Sequence, residues 1–153
     1  MKKNLLLLVI AIMCFSARSY CQTEKTIAPL TCTTDCFFTD CTVTCPPSTT
    51  PKCRCILGSF GSCGCQPINT NTKQGGSDQL PNPKNQTTFP KVVDQLNKAG
   101  YNAYADNFSA LYSALSAKDA AAYQKNFAAL DAMVAADPAT ADLVQNIVAG
   151  NFR

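Results

Sequence analysis

CTTDCFFTDCTVTCPPSTTPKCRCILGSFGSCGC, from Cys32 to Cys65, is the stretch whose reading decides the fold, and it holds eight of the ten cysteines. The spacing is C-x3-C-x4-C-x3-C-x7-C-x-C-x7-C-x-C. Cys32 and Cys36 recur nine residues on as Cys41 and Cys45, and Cys53 and Cys55 recur ten residues on as Cys63 and Cys65. Within each group the outer and inner pairs share a midpoint. Two antiparallel hairpins with cysteines opposite one another would produce that pattern.

Parity agrees. Side chains alternate faces along a strand, so Cys-x-Cys and Cys-x3-Cys each put both sulfurs on one face. Thr42, Val43 and Thr44 are β-branched and suit a strand. Gly58, Ser59, Gly61 and Ser62 suit the turn of the second hairpin. Pro46, Pro47 and Pro51 make the connector between hairpins stiff and unable to continue a sheet. Direct cross-strand pairing within each hairpin is strained, and links between the hairpins fit the spacing equally well. Eight cysteines allow 105 connectivities, and spacing does not choose among them.

The block is too small to fold on apolar burial alone. Its large apolar residues are Phe37, Phe38, Val43, Ile56, Leu57 and Phe60. Cys32, Cys36, Cys41, Cys45, Cys53, Cys55, Cys63 and Cys65 therefore read as structural disulfides, each stabilising by roughly 2–4 kcal/mol. The competing reading is a thiolate cluster for Cu(I) or Zn(II), to which Cys-x-Cys is suited. Against it stand the lack of histidine and of any C-x2-C pair. Asp35 and Asp40 read as turn residues rather than calcium ligands, since two carboxylates are few for that ion.

Ahead of this block, Lys2 and Lys3 precede eleven unbroken apolar residues, Leu5 to Phe15. This has the form of a bacterial export signal and is too short to span a bilayer. Cleavage after Cys21 leaves an even eight cysteines, whereas cleavage after Ser19 leaves nine. Residues 1–21 therefore read as a signal peptide and 22–31 as a short lead-in. A lipid anchor on a leader cysteine is disfavoured because Met13 and Tyr20 precede Cys14 and Cys21, where a small residue is wanted. Removing the leader takes Lys2, Lys3 and Arg18 and leaves ten basic against ten acidic residues. That balance argues against a nucleic-acid or anionic-membrane partner, both of which want a basic patch. It also leaves a mature chain with no integral membrane segment.

After the cysteine module, residues 32–67, the composition changes. Residues 68–88 are rich in Asn, Gln, Thr, Gly and Pro and read as a flexible linker. Residues 89–153 then carry helical periodicity and read as a small all-α bundle of three to four helices. The expected segments are about 90–99, 102–116, 118–136 and 138 onward. Asp137 serves as N-cap of the last and Pro138 as its first residue. Ser116 and Asp119 resemble a capping box. Val92, Val93 and Leu96 of the first segment, and Leu143, Val144, Ile147 and Val148 of the fourth, are the expected inward residues.

The middle segments repeat at an offset of 19 residues: Tyr104, Phe108, Leu111 and Leu115 match Tyr123, Phe127, Leu130 and Val134. Each set lies at i, i+4, i+7, i+11, one apolar stripe. Two such helices joined by a short connection pack antiparallel. Residues 128–138 resemble the end of a tetratricopeptide unit. The period of 19, in place of that family's 34, and the missing Trp and Gly pair leave the chain unassigned to it.

No catalytic constellation emerges. There is no histidine, and Glu24 is the sole glutamate. Asp94, Asp106, Asp131 and Asp142 read as solvated helix faces. The tyrosines at 104 and 123 read as core, with an alternative in which Tyr101, Tyr104, Tyr112 and Tyr123 form a concave ligand surface. The sequence thus points to a non-enzymatic exported binding protein without cofactor, placed in the periplasm, on the cell surface or outside, with an unidentified protein or surface as partner. The alternative is a thiolate metal-binding envelope protein.

Overall fold

The computed structural model describes residues 29–68 and 79–152; the leader, most of the lead-in and the middle of the linker lie outside them. The front part is a pair of antiparallel hairpins. β1 (Leu30–Asp35) pairs with β2 (Thr39–Cys45), and β3 (Thr49–Ile56) pairs with β4 (Phe60–Pro67). A short β5 (Asn82–Pro83) adds to the far side of β2. The back part is four helices: α1 (Phe89–Lys98), α2 (Asn102–Ser116), α3 (Ala120–Ala136) and α4 (Pro138–Gly150). The architecture is thus the expected disulfide-rich hairpin module followed by a helical bundle.

The hairpin registers differ from the shared-midpoint reading by two residues. Cys41 faces Thr34 rather than Cys36, and Cys63 faces Cys53 rather than Cys55. A shift of two preserves the faces, so the parity argument survives. In the first hairpin Phe37 and Phe38 lie at the tip, outside the ladder. Their N–H groups leave the ladder and donate to Gly58 O and Ser59 O of the other hairpin, at 2.8 and 2.9 Å. In the second hairpin Leu57, Gly58 and Ser59 form the loop, with Leu57 and Gly58 at φ of 52° and 66°. Gly61 and Ser62, expected in that turn, belong to β4.

Helix boundaries follow the sequence signals closely. Asp137 caps α4, accepting from Thr140 N at 3.0 Å. Asp119 is itself the N-cap of α3, accepting from Ala122 N at 2.9 Å. Ser116 is no part of that cap: its hydroxyl donates back to Tyr112 O within α2, at 2.9 Å. The 19-residue repeat packs as expected, with Tyr104, Phe108, Leu111 and Leu115 buried against Tyr123, Phe127 and Leu130. Val92, Leu96, Val144 and Val148 are buried, Val93 and Ile147 are half-buried, and Leu143 faces outward at 53% exposure.

One hydrophobic cluster runs through both parts. Phe38, Ile56, Leu57 and Phe60 of the hairpins join Phe89, Val92, Leu96, Phe108 and the helix stripes. Of the stretch read as a linker, the described end is ordered against this body. Lys84 N donates to Phe38 O at 2.7 Å, Asn82 Nδ2 to Asp40 at 2.9 Å, and Asn85 Nδ2 to Phe37 O at 2.6 Å. A second buried cluster, of Cys41, Val43, Cys45 and Cys63, lies between the hairpins.

Candidate functional site: the disulfide ladder and its junction with the helices

The eight cysteines pair between the hairpins, in chain order. Cys32–Cys53 and Cys36–Cys55 tie the β1 side to β3, and Cys41–Cys63 and Cys45–Cys65 tie β2 to β4. Cα separations are 6.1, 5.9, 6.1 and 5.6 Å, all ordinary for a disulfide. Cross-strand bonding within a hairpin is avoided even where Cys53 and Cys63 face each other directly. Both turn their sulfurs to the opposing hairpin instead.

The hairpins approach closely at Gly61. A Cβ there would lie 3.0 Å from Thr34 Cγ2, 3.1 Å from Cys36 Sγ and 3.2 Å from Thr39 Oγ1. Glycine is needed for that contact and not for a turn. The N–H of Gly61 donates to the fully buried Thr39 hydroxyl at 2.6 Å, and its carbonyl accepts from Tyr123 Oη at 2.7 Å. One strand residue therefore connects both hairpins to α3. Burial holds the Tyr123 phenol neutral well above the ordinary tyrosine range, and the neighbouring Thr39 hydroxyl opposes that shift in part.

Around this point aromatic rings close the junction. Phe38 lies 5.6 Å from Phe60, 5.2 Å from Phe89 and 5.6 Å from Phe152. Phe60 meets Phe108 edge-on at 5.1 Å, and Phe37 stacks on Phe152 at 4.4 Å. On the rim, Arg54 of β3 makes a two-pronged ion pair with Asp131 of α3 at 2.7 and 2.8 Å. Its guanidinium also sits 5.1 Å above the Phe127 ring. Arg54 holds the Asp131 carboxyl below the usual carboxylate range, chiefly through the hydrogen bond. Asp131 is thus an inter-part ligand and not merely a solvated helix residue. Asp35 pairs with Lys84 and ties β1 to the segment that leads into α1.

The four tyrosines do not share an open surface. Tyr123 is fully buried and Tyr104 nearly so. Tyr112 stacks on Phe89 at 4.1 Å, and Tyr101 is half-buried against the core. The clefts lie elsewhere. One of about 450 Å³ is lined by Asp35, Phe37, Cys55, Lys84, Asn85 and Gln145. Another, of about 500 Å³, runs between Leu80–Pro83 and the end of α2.

A metal reading has one local counterpart: the sulfurs of Cys32, Cys53 and Cys63 lie within 4.8 Å of one another. Cys32 and Cys53 are bonded together, however, and Cys63 is bonded to Cys41. Metal ligation needs the thiolate, which a disulfide sulfur does not offer. Comparison with known proteins finds no family model, no curated protein and no solved structure that matches the chain.

Sequence reasoning missed the junction residues Arg54, Gly61, Tyr123 and Asp131 as a connected set. A signal for it did exist. Phe37, Phe38 and Phe60 are more apolar surface than eight cysteines and two short hairpins can cover.

Proposed function

We propose that the protein is an exported, non-enzymatic binding protein whose hairpin module is a covalently fixed scaffold seated on a small helical bundle. The observation that carries this is the complete pairing of Cys32 to Cys65 into four disulfides. Such a ladder persists in oxidising, non-cytoplasmic surroundings. No described helix is long and apolar enough to cross a membrane. The leader-like start supports a site of action in the periplasm, on the cell surface or outside a bacterial cell. The partner is a protein or a surface. The hairpin face carries paired neutral hydroxyls, with Thr31 against Thr44 and Thr33 against Thr42, both at 2.9 Å. A face of that kind suits polar, uncharged recognition rather than phosphate.

Expression with the native leader, followed by fractionation and thiol counting, tests the reading. It expects recovery outside the cytoplasm with all eight cysteines blocked to alkylation. A cytoplasmic protein with free thiols refutes it. The second reading, thiolate metal binding, is favoured only by the Cys32, Cys53 and Cys63 cluster. Elemental analysis of the exported protein before and after reduction decides that one. A molar equivalent of copper or zinc as isolated supports it, and none removes it.

A further inference from the structure

Four strand edges border the two sheets, and three of them carry a partial cover or a guard. Gln79 bridges β4 at Cys63 alone, its N–H donating to Cys63 O at 3.4 Å. β5 pairs with β2 at Thr39 and Asp40 and carries Pro83. β3 carries Pro51, Lys52 and Arg54. Proline and charge on an edge discourage a further strand. β1 is the fourth edge. Leu30 to Thr34 has neither proline nor charge, and among the described residues nothing pairs with its outer side. Leu30, at the start of this edge, is 48% exposed.

The groups this edge presents follow from the ladder. Cys36 N donates to Thr39 O at 2.8 Å, which makes that a hydrogen-bonded pair. Bonded pairs alternate along an antiparallel ladder, so the others are Thr34/Cys41, Cys32/Val43 and Leu30/Cys45. Thr31, Thr33 and Asp35 therefore turn their N–H and C=O outward. The 2.9 Å hydroxyl contacts of Thr31 with Thr44 and Thr33 with Thr42 agree, because unbonded pairs bring side chains closest.

We propose that β1 pairs antiparallel with β1 of a second copy, with Thr33 opposite Thr33 on the two-fold axis. The outward groups at 31, 33 and 35 are symmetric about Thr33, so every donor meets an acceptor. Asp35 then faces Thr31 of the other copy. The two Asp35 side chains stand about 13 Å apart along the strands, which avoids like charges face to face. Lys84 already neutralises each of them. The exposed hydroxyl face continues across the join. The contact uses the same patch on both chains and consumes the free edge, so it closes as a dimer and does not propagate. A single strand pair is a narrow interface, and the dimer dissociates on dilution. This inference stands apart from the partner proposed above, since self-pairing needs no third molecule.

Sedimentation velocity of the exported, oxidised protein tests it over a concentration series reaching about 1 mM. The mass doubles as concentration rises. Thr33→Pro deletes an outward N–H without removing any β1–β2 ladder bond, and it weakens association at least tenfold while leaving no free thiols. Should that variant not fold, Thr33→Lys puts a charge beside its own image on the axis and weakens the dimer in a salt-reversible way. Thr42→Lys lies on the same face but away from the edge, and it leaves the dimer in place. A wild-type monomer at every concentration overturns the proposal. So does a dimer that survives both Thr33 variants, or an edge that accepts only a foreign extended peptide.

Discussion

Replacing Tyr123 by phenylalanine tests whether the two parts of the chain are one cooperative structure. The ring is fully buried, and its hydroxyl reaches 2.7 Å to Gly61 O across the junction. Phenylalanine keeps the ring and its packing against Phe127 at 6.0 Å while deleting the one donor. A net hydrogen bond contributes about 0.5–1.5 kcal/mol, and a carbonyl left short of a partner in the interior costs about 1–3 kcal/mol. The expected loss is therefore about 1–2 kcal/mol, or about 5 °C in thermal midpoint for a domain of this size. Far-UV circular dichroism reads the helices and near-UV dichroism reads the aromatic junction. Both transitions should move together. The pH dependence supplies a second check. Burial raises the phenol's pKa, so the folded state holds that proton more tightly than the unfolded chain does. Its contribution is complete below the unfolded tyrosine value, about 10, and is lost as pH rises past it toward the folded pKa. Wild type should lose stability above that pH more steeply than Tyr123→Phe. A midpoint unchanged within about 1 °C, or helices that melt at their old temperature while the junction signal moves, would refute the coupling.

Non-reducing peptide mapping should recover the four links Cys32–Cys53, Cys36–Cys55, Cys41–Cys63 and Cys45–Cys65, and any link within one hairpin contradicts the register. Removing the buried Cys41–Cys63 bridge by double alanine substitution should cost about 3 kcal/mol, read as a denaturant midpoint, since it closes a loop of 22 residues. Gly61→Ala should destabilise by about 1–3 kcal/mol because its Cβ meets packed atoms, whereas Gly150→Ala meets nothing within 4 Å and should be neutral or slightly stabilising in the same melt. Arg54→Met should cost only about 0.5 kcal/mol, as the pair with Asp131 is half exposed, and raised salt should shrink the difference. The depressed Asp131 pKa sets its sign: that contribution is present above the unfolded carboxylate value and fades as pH falls below it.

Local signals made the elements legible, and long-range packing hid the junction. Pro90 and Pro138 near helix starts, Asp137 as a cap, Gly100 at φ +86° and the 19-residue stripe each act within a turn or two, and the helices fall where they indicate. Cysteine parity likewise put every sulfur on the correct face. The two-residue slip in register escaped because the shared midpoint sets the cysteines opposite one another within a hairpin, whereas they bond across to the other hairpin. At the hairpin tip Phe37 and Phe38 reach the helical core, and Phe38 becomes fully buried. The sulfurs look across the gap between hairpins in either register, because a slip of two residues keeps every side chain on its face. Arg54 with Asp131 and Gly61 with Tyr123 span 77 and 62 residues, and no local pattern carries contacts of that length.

At the described end of the stretch 68–88, from Gln79 onward, composition and structure part ways. Polar, proline-rich sequence predicts a chain that cannot bury enough surface to order itself. Lys84 and Asn85 are ordered without burying much, because Lys84 N, Asn85 Nδ2 and Asn82 Nδ2 meet backbone or carboxylate acceptors that the hairpin tip had left open. Phe38 O is free to accept because Phe38 sits at that tip, outside the β1–β2 ladder. The tip position of Phe37 and Phe38 thus buries an aromatic side chain in the helices and exposes backbone acceptors to the returning chain. The hairpins are held to each other by sulfur along their length, from Cys45–Cys65 to Cys36–Cys55 beside the tip, and to the helices by this exchange.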